Sequence, residues 1–202
     1  MKKLYQNIED IHIKGGVGEL SEVVRTIDIS LQNIADKTEE LTGYLAKYSS
    51  SNKGAQYEKV VKTSLQLRDD MFDASVALNE MQNQIVAYQN KIYRYEDMSE
   101  SAPTPNPYLV TKRQVSVDTS AVQFNRSDMM DLAATLRNYS EMVFHHIKTI
   151  NQKKNAIASV WMDTQYDDFA AFIDDVTNSV VDAIKVYEEY VIVLEDKIKE
   201  LG

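Results

Sequence analysis

The 202-residue chain contains no cysteine, so it can build no disulfide, thiolate nucleophile or thiolate metal site, and redox usage does not indicate a compartment. Only three prolines and six glycines interrupt it, and the prolines fall together at 103, 105 and 107, so long uninterrupted elements are expected on either side. No window approaches the ~18 apolar residues of a membrane span. The opening MKKLYQNIED lacks the apolar segment of a cleaved secretory signal, which leaves two localisations: cytoplasmic, or secreted without a cleaved signal peptide. Formal net charge is -9, and no cluster of Lys and Arg occurs of the kind that neutralises phosphates, which argues against a nucleic-acid partner.

Apolar residues, by contrast, recur in steps of three and four along most of the chain. From Leu20 the series Val24, Ile27, Leu31, Ile34, Thr38, Leu41, Leu45 and Tyr48 keeps heptad spacing, the pattern of a helix with one seam against a partner. The small and polar run SSSNKG, residues 49 to 54, breaks it as a turn. The seam resumes at Tyr57, Val61, Ser64, Leu67, Met71, Ala74, Leu78, Met81, Ile85, Tyr88, Ile92 and Tyr95, predicting a helix of roughly 40 residues and about 60 Å. That helix outreaches the one before it and leaves Ile85, Tyr88 and Ile92 without cover from that neighbour. A homo-oligomer, or another helical protein partner, is therefore expected to supply the cover.

A third series, Met129, Leu132, Leu136, Tyr139, Val143, Ile147, Ile150, Ile157 and Trp161, has one gap at Lys154 and predicts a helix from about Ser127 to Val160. A fourth runs from Phe169 through Ile173, Val176, Val180, Ile184, Tyr187, Val191, Leu194 and Ile198 to Leu201. Between them lies a turn near 159 to 165, with Asp163 and Thr164 as capping side chains and Asp167 and Asp168 in the first turn, where the helix dipole favours negative charge. Trp161, the only tryptophan, sits at this hairpin tip and is expected to close it by packing, with partner recognition as the alternative role. Residues 161–202 carry eleven acidic and three basic side chains, whereas 126–160 carry five basic and three acidic. Lys148, Lys153 and Lys154 are accordingly expected beside Asp163, Asp167 and Asp168, although exposed pairs of this kind contribute only ~0–1 kcal/mol.

The fold class that follows is all-α: two tandem long antiparallel helical hairpins, bundle or coiled-coil-like, with the first at 1–98, a Pro-rich linker at 99–114 and the second at 115–202. The halves mirror one another. Val115 and Val117 match Ile11 and Ile13, and GAQYEKV at 54–60 aligns with DTQYDDF at 163–169, so that Tyr57 and Tyr166 stand 109 residues apart.

Catalytic groupings are sparse, and no enzyme or cofactor is expected. Adjacent helical residues point about 100° apart, so His145 and His146 cannot share a metal as an i, i+4 pair does. Glu141 is four residues from His145, which fails the Glu-x-x-His spacing of a di-iron bundle. GGVG at 15–18 lacks the Lys-Ser/Thr of a phosphate loop, and the pairs Asp69-Asp70, Asp167-Asp168 and Asp174-Asp175 read as solvated helix faces.

A short Ile-x-Ile or Val-x-Val lead-in, a helix of about 30 residues, a turn with Trp-x-Gly, and a long helix with Tyr-x-x-x-Asp/Glu near its end resemble the WxG-type hairpin proteins exported by type VII secretion systems. The chain looks like two such units in tandem. Its second unit keeps Trp161 but has Asp163 in place of glycine; its first keeps Gly54 but has Asn52 in place of tryptophan. Tyr93 and Asp97 match the Tyr-x-x-x-Asp spacing, and the second hairpin has no equivalent. The resemblance implies a non-enzymatic helical binding module, exported by or associated with such a system, with secretion machinery or a toxin as a further partner. It implies partner or sorting roles for Trp161, Asp163, Gly54, Tyr93 and Asp97. A cytoplasmic helical adaptor or scaffold unrelated to secretion is the alternative.

Overall fold

Four helices account for most of the chain: α1 (Gly18–Ser51), α2 (Ala55–Tyr95), α3 (Arg126–Ile157) and α4 (Thr164–Glu200). The structure is a computed structural model that describes residues 11, 13 and 17–201; Ile8, Gly15 and Gly16 lie outside the described residues. The protein is all-α. Each helix packs against two others in the cyclic order α1, α2, α4, α3, and neighbours run antiparallel. Along α1 and α3, Lys47 meets Asp128 at 2.8 Å, the hydroxyls of Thr38 and Tyr139 meet at 2.6 Å, and Glu22 meets Lys153 at 3.8 Å.

The apolar seams explain these contacts. Every seam position of α1 from Leu20 to Tyr48 is buried, and in α2 the seam holds through Ile92 apart from the half-buried Ala74. Tyr95 departs from expectation at 81% exposure, and Tyr93 takes the last interior seat. The reason is a helix stop: Asp97 adopts φ 51°, Met98 N–H donates to Tyr93 C=O at 2.9 Å, and Asp97 N–H donates to Arg94 C=O at 3.4 Å. These two bonds form a Schellman motif, which turns the chain before Tyr95 can be covered.

Ile85, Tyr88 and Ile92, expected to need cover from a second chain, find it within their own. All three are buried among Val17, Leu20 and Val24 of the first hairpin and Trp161, Phe169 and Ile173 of the second. Comparing the lengths of α1 and α2 alone leaves out the cover that the second hairpin provides. A further departure is Lys154, the gap in the α3 seam. Its stem is buried and its ammonium reaches Asp174 of α4, so the apolar methylenes fill the seam while the charge is paired.

Residues 96–125 are non-helical and run back along the groove between α1 and α2 as a strap. Asn106 N–H donates to Asp28 of α1 at 3.0 Å, Asn79 of α2 donates to Tyr108 C=O at 2.7 Å, and the buried Arg68 of α2 donates to Arg113 C=O. Val110, at 2% exposure, is its apolar anchor. The strap and the lead-in to α1 also pin the hairpin turns. Lys53 bridges to Gln123, and Trp161 bridges to Ile13, so each turn is held by the segment that leads into the other hairpin.

Candidate functional site

Turn 2, between α3 and α4, is organised by Asp163. As N-cap of α4 it accepts from Gln165 N–H at 3.0 Å; the same carboxylate accepts from Trp161 Nε1 at 2.8 Å and from the Tyr88 hydroxyl of α2. Trp161 is 1% exposed, stacked on Tyr88 with centroids 5.4 Å apart and flanked by Phe169 at 5.3 Å and Tyr166 at 5.9 Å. A buried carboxylate survives here because three donors replace its hydration. Of the lysines expected beside it, Lys154 pairs instead with Asp174 and Lys153 with Glu22. Capping and ring contacts of the turn draw the Asp163 carboxylate inward.

Turn 1 is built differently. Gly54 has φ 122°, a conformation that glycine adopts without Cβ strain, and its N–H donates to Asp118 C=O at 2.9 Å. Asn52, where the other turn has Trp161, is fully buried; its side chain accepts from Asn125 N–H at 2.7 Å and donates to Tyr48 C=O at 3.0 Å. Gly54 and Asp163 thus occupy equivalent turns at opposite ends of the bundle and are not brought together.

Tyr93 and Asp97 are also not a surface pair. The Tyr93 ring is buried, with its hydroxyl 2.9 Å from Gln89 Nε2, whereas Asp97 lies exposed beyond the helix end.

Between α2 and α4 the bundle leaves a groove of about 600 Å³. Ala74, Ala77, Val176 and Ala183 form its floor, and Asp70, Asp73, Asp175 and Asp182 stand along it; no lysine or arginine lines it. In the sequence, Asp70 and Asp175 read only as parts of solvated faces. The available signal was the helical repeat of Asp70, Asp73, Ala74 and Ala77, which sets small residues and carboxylates on one stripe.

Other candidate groups have partners within the bundle. His146 Nδ1 lies 3.2 Å from Ser30 Oγ, and burial, followed by the neighbouring His145, holds its pKa below the usual value. Asp69 binds Arg68 at 2.8 Å and Asp70 accepts from Gln66 at 3.0 Å. Among the described residues no group of three or more His, Asp or Glu side chains is placed to hold a metal ion, and no helix is long and apolar enough to cross a membrane.

No protein-family model, no curated protein and no solved structure matches the chain.

Proposed function

We propose that the protein is a non-enzymatic helical binding module that docks a basic amphipathic helix of a partner protein along the α2–α4 groove. The observation that carries this reading is the groove itself, with an apolar floor of small residues and four carboxylates along it, of which Asp182 pairs with Lys185 at 3.1 Å while Asp70, Asp73 and Asp175 leave the groove a net negative rim. Helix-in-groove recognition needs such a floor for the partner's apolar stripe, and rim charge sets partner choice and encounter rate. The chain's own strap supports the reading by analogy. It covers the neighbouring α1–α2 groove with Lys112 over the Phe72 ring at 4.2 Å and Arg113 at 3.5 Å from Glu39, leaving the α2–α4 groove open. Self-association through this face would set carboxylate against carboxylate, so a different, basic chain is the better occupant.

The test uses a Leu/Lys peptide of about 18 residues with one apolar helical stripe, roughly 27 Å long. It is expected to bind in calorimetry with an affinity that falls as salt rises. Binding should be lost in Ala77→Arg, and a Leu/Glu peptide of the same pattern should not bind. Equal binding of both peptides, or an unaffected Ala77→Arg, rejects the reading.

Export by, or association with, a type VII-like secretion system rests on the resemblance to WxG hairpins, the partner then being a secretion component or a toxin chain. Its test is the intact chain appearing in the medium of a host with such a system and disappearing when the secretion ATPase is removed. Retention in the cell in both strains favours the adaptor reading.

A further inference from the structure

α4 carries two apolar series. The inner one runs from Phe169 through Ile173, Val180 and Ile184 to Ile198 and is buried in the core. The outer one, Val176, Ser179, Ala183, Val186, Tyr190 and Val193, advances in alternating steps of three and four residues, which is heptad spacing on a second face of the same helix. None of these side chains is buried: Val176, Ala183 and Tyr190 are half-buried, and Val186 and Val193 are 58% and 52% exposed. The series from Val176 to Val186 forms the α4 wall of the α2–α4 groove, and a second recess of about 470 Å³ continues that groove past Ala183 and Val186 to Thr63 and Tyr187. Lys62, which lines this recess, pairs with Glu58 at 3.1 Å. Tyr190 and Val193 then prolong the stripe towards the turn-1 end.

The charge beside the stripe repeats with the same period. Asp175, Asp182, Glu189 and Asp196 stand seven residues apart, each one place before or after a stripe residue, and all are exposed. That is the flanking place from which helices of a coiled coil select their partners by charge. Asp196 meets Lys199 at 2.9 Å much as Asp182 meets Lys185, and exposed pairs of this kind are weak enough for a partner's cation to exchange with them. An apolar seam with a ladder of carboxylates at the same repeat is one half of an interhelical contact. A second copy of the chain would bring the same carboxylates against this ladder, and like charges reject that pairing.

We propose that the partner of the α2–α4 groove is a coiled-coil helix of about three heptads with Lys or Arg at every seventh residue, laid along α4 from Asp175 to Asp196, a span of about 32 Å, and paired with that ladder. Resting on the reading of the groove given above, it adds where the charges stand on the partner helix and how far the contact runs. The groove asks only for an apolar stripe and positive charge. The ladder asks for that charge beside the stripe, at the partner's own heptad interval, and carries the contact two turns beyond the groove floor.

The experiment titrates the full chain by calorimetry with two synthetic helices of about 24 residues and equal composition. Both carry Leu along one heptad seam; one has Lys at the flanking positions of each heptad and Gln on the outer face, and the other has the two exchanged. Wild type is expected to bind the flank-Lys helix about tenfold more tightly, an advantage that shrinks as salt rises. The double variant Glu189→Lys/Asp196→Lys, altered outside the groove at two exposed places, should keep its helical dichroism and bind the flank-Lys helix about tenfold more weakly. A helix with Glu at the flanks of its first or its last heptad, whichever lies there, should recover the loss. Equal binding of the two helices by wild type, or a double variant that binds as wild type does, overturns the ladder, and the groove reading still stands if Ala77→Arg abolishes that binding. Absence of binding by either helix at millimolar concentration overturns both.

Discussion

Tyr88 and Asp163, 75 residues apart in the chain, meet in the interior, the phenol donating to a carboxylate that also takes the indole N–H of Trp161 and the amide of Gln165. One side chain of turn 2 thus joins α2 to α4 and caps the latter. Asp163→Gly would complete a Trp-x-Gly motif, yet it strips an acceptor from two buried donors and removes the cap. A loss of about 2–4 kcal/mol is expected in urea denaturation, with Asp163→Asn costing less because its amide oxygen still accepts. An unchanged midpoint for Asp163→Gly would show that the carboxylate is dispensable.

Trp161 packs against three rings and is almost fully enclosed. Trp161→Ala is expected to cost about 3–5 kcal/mol. Because the chain has no other tryptophan, its emission reports this site alone and should be blue-shifted and shielded from acrylamide in the isolated protein. Red, freely quenched emission would place the ring at the surface instead.

The Tyr93-x-x-x-Asp97 spacing has a structural use as the end of α2. Asp97 holds a left-handed conformation at C′, where an L side chain is strained and glycine is not. Asp97→Gly is therefore expected to raise stability by about 1 kcal/mol in thermal unfolding. Destabilisation would mean that the carboxylate makes a contact worth more than the strain.

Two pH limits follow from titratable groups, the half-buried His146 and three buried tyrosines. The folded pKa of His146 lies below 6.5 through burial, so below about pH 6.5 the unfolded chain binds the extra proton first. Stability then falls with pH until the folded form titrates too. His146→Gln should flatten the melting temperature between about pH 7 and 5. Burial raises Tyr48, Tyr139 and Tyr187 above the ordinary 10.0. Their contribution is complete below about pH 10 and declines above it. Tyrosinate absorbance near 295 nm should show a late fraction that appears together with the loss of helical dichroism; complete titration of a still-helical chain would contradict this.

The seams were legible because burial along a long helix repeats with the helix itself, and α1 follows its spacing from Leu20 to Tyr48 without exception. What periodicity does not carry is how one helix is set against another. Nothing in the spacing pairs Tyr88 with Trp161, since each series fixes a face of its own helix and leaves the offset along a neighbour free. The buried Arg68, Gln82 and Gln89 escape the pattern for a related reason: an apolar series overlooks polar side chains that reach a carbonyl, as Gln82 does to Val24 C=O at 3.0 Å and Gln89 to Val17 C=O at 3.1 Å. The seat of the strap depends on backbone groups, Tyr108 C=O and Arg113 C=O among them, which side-chain identity does not announce.

Each hairpin turn closes on backbone supplied by the other half: Lys53 and Gly54 on Gln123 and Asp118, Trp161 on Ile13. An emerging chain therefore reaches the end of α2 with those amides of turn 1 still unmatched, and finds their acceptors only after the strap has been made. Separated at the strap, either hairpin would keep its sequence and lose its clasp, and mixing the two pieces would restore both clasps without a peptide bond between them. The covalent link sets the local concentration of the halves, while the mutual clasping adds to the apolar core that both hairpins share.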